Sequence, residues 1–450
     1  VRDRWLIAWG IGSVAFGGAS LLVPLYLVAL GAGPVALGVL AATAAIAGAP
    51  GAIVVGRLAD RSGRRRVFVV GGLLAVAAAL AAMPLTTSVP ALIALNGVVW
   101  FAIAALGPVV TLLVTADVSE ASWASAIARL NRAQGWGWAA GLVLGAVWTA
   151  LVAAVVGPLA AQRGFFIATA VLAAVGGVTA GRWLPAEAAP ASSGVDGAVA
   201  SVNEVARTNG GRRFPSGLYS GRWVPLRAAT FPALPGRWLW LTRLRRNGAG
   251  FDRFSRSLWT YYLAAVCFFA GFGAFFAPLP LYLSDVGFGD GAIFAFYVVS
   301  SLGSAACYRG AGSLAERFDL AGLQAAGLLG RGLALPAVAL VGGLWAASAL
   351  GAGLTAVTFA VIGVTWAVIA VTAATYVTQL APTASRGEAL GLYVALSSIA
   401  AGVGSLLGGV LASVGYLVAF AVAGALVVAG AAIVLLAARR SAAESPLGSE

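Results

Sequence analysis

Histidine and lysine are absent from this chain of 450 residues, methionine occurs once and cysteine twice. Without imidazole, His-based proton relays and the usual zinc sites are excluded. Cys267 and Cys307 both fall in apolar segments, follow no pairing motif and lack metal-ligand spacing, so neither a structural disulfide nor a metal centre is expected. No nucleophile stands in a pattern with a base that could activate it, which argues against an enzyme and gives no reason to expect a cofactor. Charge is scarce as well: 10% of the residues are charged, against about 25% in an ordinary soluble domain. No Asp or Glu lies deep in an apolar segment; Asp117, Glu120, Asp285, Asp290 and Glu388 all map to segment ends or turns.

What the chain has instead is apolar length. Hydrophobic residues make up 61% of it and its mean hydropathy is +0.95. A membrane-spanning helix takes about 20 mostly apolar residues. Twelve such segments lie near 5–30, 34–56, 67–84, 90–115, 130–156, 164–184, 258–284, 290–309, 320–341, 347–379, 388–413 and 416–438. An even number puts both termini on one side. All 28 positive charges are Arg, and by this placement 26 of them lie on one side, with only Arg163 on the other and Arg331 inside a span. The positive-inside rule then makes both termini cytoplasmic, with the cell membrane as the expected location. The net charge of +13 is accounted for by topology, so no nucleic acid partner is expected. The first span starts almost at residue 1 with no cleavage-site pattern after it, which predicts a retained helix and not a signal peptide.

Two stretches repeat each other at one offset of 256 residues. Pro24-Leu25-Tyr26-Leu27 with Gly31 recurs as Pro280-Leu281-Tyr282-Leu283 with Gly287, and Gly56-Arg57-Leu58-Ala59-Asp60-Arg61 recurs as Gly312-Ser313-Leu314-Ala315-Glu316-Arg317. A shared offset across an apolar helix and the polar turn after it marks a duplicated unit. Parallel repeats in a membrane protein point to a transporter that moves one half against the other. The halves are placed at 1–184 and 257–440, each with six spans, followed by a tail at 441–450. Between them, 185–256 holds 11 Arg against four acidic residues and reads as a basic cytoplasmic linker. Its first part lacks hydrophobic periodicity. Its last part, from Arg237 to Arg246, mixes Trp and Leu with Arg and suits a segment lying on anionic lipid.

Between spans two and three stands Gly56-Arg57-Leu58-Ala59-Asp60-Arg61-Ser62-Gly63-Arg64-Arg65. This resembles the signature of the major facilitator superfamily, in which a Gly is followed by an Asp, an Arg, a second Gly and a basic pair. With the twelve spans, two halves and central linker, the resemblance covers essentially the whole chain. It implies an all-α membrane protein of twelve transmembrane helices, in two parallel six-helix repeats around a central cavity, that transports a small molecule. Physically, Gly56 lets helices approach closely, and Asp60 is a fixed charge at the membrane edge. The resemblance implies that Asp60 faces the start of span eleven, here Arg386-Gly387-Glu388, in a contact that gates the cytoplasmic side. Gly312, Glu316 and Arg317 form a degraded second copy, because Asp319 replaces its second Gly and Leu320-Ala321 its basic pair.

The coupling motifs of the family's proton antiporters are weak or absent. Asn96 stands where an Arg is common in span four, with Trp100 where a Gly would follow, and span five, from Gly135 to Gly145, has no Pro. Proton coupling is open on this reading, and a proton partner would have to use an edge carboxylate such as Asp117 or Asp285. The resemblance places spans one, four, seven and ten around the cavity. Its candidate lining is Asn96, Trp100, Asn131, Gln134, Trp138, Tyr262, Trp366, Thr372 and Tyr393, with Ser13, Ser20, Phe269, Thr365, Ser397 and Ser398 as further candidates. Uncharged hydrogen-bonding groups among aromatic rings suit an apolar or amphipathic solute, although membrane Ser and Thr often bond their own backbone. Arg331 is the odd residue, expected to snorkel, to pair with a carbonyl or Glu316, or to meet an anionic substrate. Export by a monomer is the expected function. A dedicated uptake permease for a neutral metabolite and a non-transporting membrane sensor are the alternatives.

Overall fold

The computed structural model describes residues 4–62, 64–115, 123–184, 254–346, 348–382 and 386–444. Six helices make the first half: α1 (Trp5–Ala29), α2 (Pro34–Ser62), α3 (Arg65–Ala82), α4 (Val89–Thr115), α5 (Trp123–Val156) and α6 (Pro158–Trp183). The second half holds α7 (Arg256–Phe276), a short α8 (Leu279–Asp285), α9 (Asp290–Arg317), α10 (Leu320–Trp345), α11 (Ala349–Leu380), α12 (Arg386–Val414) and α13 (Tyr416–Glu444). Eleven spans among the described residues, with α7 and α8 counted as one, are long and apolar enough to cross a membrane. The twelfth, α2, adds the shorter apolar run Pro34–Gly48.

The helix starts follow local chemistry. Ser255, Asp319 and Ser348 each accept a hydrogen bond from the backbone N–H three residues on, at 3.1, 2.7 and 3.1 Å, which satisfies one of the orphan donors of a first turn. Five spans differ from the sequence reading. The stretch from Gly56 to Ser62, expected as a turn, is helical, and so is Gly312–Arg317; Ala, Leu and Arg continue a helix well. Span seven breaks after Phe276 and resumes as α8, since Pro278 and Pro280 lack the N–H that a continuous helix needs. Span five starts at Trp123 and span six at Pro158, so that Gly157 alone, at φ 84°, turns the chain between them.

The sequence repeat is built twice in the same way. After α1, Gly31 takes φ 81°, its N–H reaches the Val28 carbonyl at 2.9 Å, and the Ala32 N–H reaches back to Leu27 at 2.9 Å. After α8, Gly287 takes φ 103°, bonds Ser284 at 2.9 Å, and the Phe288 N–H reaches Leu283 at 3.0 Å. Both are helix C-caps that need a left-handed residue, hence glycine. Larger packing repeats too: α1 packs on α5 and α6, α2 on α4, and α3 on α4 and α6. Correspondingly, α7 packs on α12 and α13, α9 on α11, and α10 on α11 and α13. The fold is therefore two parallel six-span repeats. They meet along α2 against α12 and α5 against α9, two seams exchanged by the repeat, with α1 also touching α8.

Candidate functional site

At the face opposite the first residue of α1 and the last of α13, here called distal, the described residues of the two halves pack closely. Gly38 of α2 packs on α12 so tightly that a Cβ there would stand 2.6 Å from the Ser405 carbonyl, and one on Gly409 would stand 2.6 Å from the Pro34 carbonyl. On the other seam, Phe294 of α9 packs edge-on against Phe165 of α6, with ring centroids 6.0 Å apart. Gln162 Nε2 donates to Asp290 Oδ2 at 2.7 Å beside it, joining the halves through a buried amide that is 2% exposed. Between described residues, all the hydrogen bonds, ring contacts and close glycine approaches that cross the seam lie in the distal half. The same face is braced within the first half, where Arg163 Nε donates to the Tyr26 hydroxyl at 3.2 Å and that hydroxyl donates to the Thr86 carbonyl at 3.3 Å.

Deeper in, the first half presents a pair of indoles. Trp100 of α4 and Trp138 of α5 lie 6.4 Å apart and are both buried. Asn96 stands one turn distal of Trp100, and Gln134 one turn proximal of Trp138, so the two amides bracket the rings at about 6 Å each along the helix axes. Both amides are buried, at 4% and 8% exposure, and neither side chain makes a hydrogen bond among the described residues. Asn131, a turn before α5's Gly135, is half-buried.

In the second half the candidate residues fall into two groups. Nearer the proximal end, the Tyr262 hydroxyl donates to the Ala389 carbonyl at 2.9 Å, tying α7 to the start of α12. Tyr393 packs there against Phe269 at 6.0 Å and against Tyr261 at 6.2 Å, and the Tyr261 hydroxyl and the Gln324 amide bond each other. Around mid-helix, Trp366 packs edge-on against Phe272 at 6.1 Å. The Thr372 hydroxyl is spent on the Val368 carbonyl at 2.8 Å, and Ser13, Ser20, Thr365, Ser397 and Ser398 likewise bond their own helices.

The first signature copy runs along the end of α2 to the start of α3; Gly63, the surroundings of Gly56 and the side chains of Asp60, Arg61 and Arg386 lie outside the described residues, as does the linker up to position 253. Arg64 is exposed and Arg65 half-buried at the start of α3. In the second copy Glu316 and Arg317 are exposed, and open space surrounds the position a Cβ would take at Gly312. Two contacts escaped the sequence reading, the Gln162–Asp290 bond and the Arg163–Tyr26 brace; Arg331 pairs with a carbonyl, one of its expected partners, inside an aromatic surround that was not expected. Asp290, Arg163 and Arg331 carried a signal, as lone charges beside or within apolar runs.

The sequence profile of the Major Facilitator Superfamily matches residues 6–399. The chain belongs to that superfamily. It is accordingly a multi-pass membrane transporter. No curated protein sequence matches it. Among solved structures, a mutant form of the nucleoside transporter NupG superposes with a TM-score of 0.69 at 12% identity, covering 97% of this chain and 99% of that one. A bacterial homologue of the human lysosomal transporter Spinster, in an inward-facing and unoccupied conformation, gives 0.69 at 15% identity over 99% of both chains. A POT family transporter in complex with a thioalcohol-conjugated peptide gives 0.66 at 14%, covering 97% and 95%. At such identities the likeness is one of fold alone.

Proposed function

We propose that this superfamily member moves an apolar or amphipathic small molecule across the cell membrane by rocking its two halves, in the direction of export. The distal seam carries the proposal. Among the described residues the close contacts between the halves lie at the distal face, while Asn96 and Gln134, whose side chains make no hydrogen bond among the described residues, stand beside aromatic rings. Each amide offers a solute that arrives there an acceptor and two donors. With both termini cytoplasmic, as the Arg distribution supports, the distal face is extracellular and the described state is closed to the outside. Asp60, Arg61, Gly63, Arg64 and Arg65, facing Arg386, are the gate proposed for the cytoplasmic side, and the basic linker rests on anionic lipid.

The test is accumulation of neutral and charged lipophilic dyes in cells that express the wild type or Asp60→Asn, with and without a protonophore. Lower accumulation in wild type, lost on substitution, is the expected result; additional loss with the protonophore would assign protons as the coupling ion. Equal accumulation in all cells would overturn export and favour a dedicated uptake permease. Deleting 190–235 separates transport from sensing, since a transporter keeps its flux without the linker.

A further inference from the structure

Arg331 lies 11 residues into the 26-residue α10, near the middle of its span. It is 2% exposed. Its Nη1 donates to the Ile362 carbonyl of α11 at 2.8 Å. Its Cζ sits 4.4 Å above the Phe272 ring and 5.6 Å from the rings of Phe276 and Trp366. Tyr308 of α9 stands beside the guanidinium. The Nε is sealed from solvent and has no acceptor. Among the described residues no carboxylate pairs with this cation, and Glu316, its nearest candidate by sequence, is exposed.

A guanidinium carries five N–H donors in a fixed fork. One of them would be enough to clasp a carbonyl, and an uncharged Gln would do so without taking a charge into the membrane, where charges are costly. The aromatic rings stabilise the charge through their faces, but they give Nε no acceptor. The edge of the plane, Nε with Nη2, has the geometry that takes both oxygens of a carboxylate at once. The place is sealed in the described state but lies at a weak joint of the fold. The tip of Arg331 fills the gap between α7 and α11, which barely touch each other, and Trp366 at its edge is 8% exposed while Phe276 is half-buried.

We propose that Arg331, walled by Phe272 and Trp366, is an anion-recognition site that takes the carboxylate of an amphipathic solute whose apolar body lies among the indoles. The assignment rests on the transport reading and narrows its substrate class. It is tested on the full chain purified in detergent with three probes of one shape: 2-naphthoate, the neutral 2-naphthamide and the cationic 2-naphthylmethylammonium. Binding is read as a saturable rise in melting temperature and as quenching of tryptophan fluorescence. The wild type is expected to bind naphthoate at least about tenfold more tightly than either analogue. Arg331→Gln is expected to weaken naphthoate by about 10–100-fold, the loss of a hydrogen bond to a charged group, and to leave naphthamide unchanged, whereas Arg331→Lys keeps intermediate affinity. No preference for the carboxylate in wild type, including no binding at all, would overturn the proposal even if the variants fail to fold. So would a folded Arg331→Gln that binds naphthoate as the wild type does. Dye export without a naphthoate preference leaves transport standing and removes the anion site alone; a preference without dye export does the reverse to broad efflux.

Discussion

Replacing Gln162 by Leu keeps the side chain's bulk and removes the bond that joins the halves at the distal face. The bond is short, 2.7 Å, reaches a carboxylate and is buried on the Gln162 side. Hydrogen bonds to charged groups contribute about 1.5–3 kcal/mol. Asp290 keeps part of its stabilisation after the substitution, since it opens α9 and meets the unpaired N–H groups of the first turn. When the distal face opens, water replaces the lost partner, so the substitution acts on the closed state. The ratio of open to closed then rises by about 10- to 150-fold, and a wild-type minor population of about 1% becomes about 10–60%. Spin labels at Leu85 and Val414 measure it, because both are distal, lie in opposite halves and are 86% and 77% exposed. A second, longer distance in Gln162→Leu is expected. An unchanged distance distribution would refute the reasoning that this bond latches the seam.

Gly409→Ala acts on the other seam in the same direction: its Cβ would stand 2.6 Å from the Pro34 carbonyl, and forcing the helices apart costs about 1–3 kcal/mol, so the same labels should report more of the long distance. Gly31→Ala forces an L-residue to φ 81° with nothing nearby to clash. It should lower stability by about 1–2 kcal/mol, seen as a lower melting temperature with transport kinetics intact above the threshold of folding. Asn96→Leu breaks no side-chain hydrogen bond among the described residues, so stability should hold or rise by about 1 kcal/mol while KM for the transported dye increases. A drop in melting temperature without a kinetic effect would show that Asn96 is a structural residue.

The spans and the duplication were legible in the sequence because both rest on local pattern: apolar length for the first, and two glycine-capped turns 256 residues apart for the second. Helix ends were less so. The signature stretches read as turns because they are polar, yet Ala59, Leu58, Leu314 and Ala315 have strong helix propensity, and α2 and α9 run through them. The break in span seven was visible as Pro278 and Pro280 but was outweighed by the apolar run around them. Contacts across the seam could not be read at all, since Gln162 and Asp290 are 128 residues apart and pair only once two bundles have docked. Of the cavity candidates, the expectation that Ser and Thr often bond their own helices describes Thr372 and its neighbours. Asn96 and Gln134 stand apart because an amide is too long and too polar to be satisfied so simply. Arg331 was conspicuous as a charge, but its aromatic surround comes from α7 and α11 and is assembled only in three dimensions.

The account rests on the two halves opening alternately about one central site. In a Cys267→Ser, Cys307→Ser background, cysteines replace Gln162 and Asp290, and a short bismaleimide joins them across the distal seam. Dye flux in proteoliposomes is then compared before and after cross-linking, with each single-cysteine variant as control. Flux that stops on cross-linking, while single-cysteine controls keep theirs, is the predicted result. Undiminished flux through protein locked shut at the distal face would contradict alternating access.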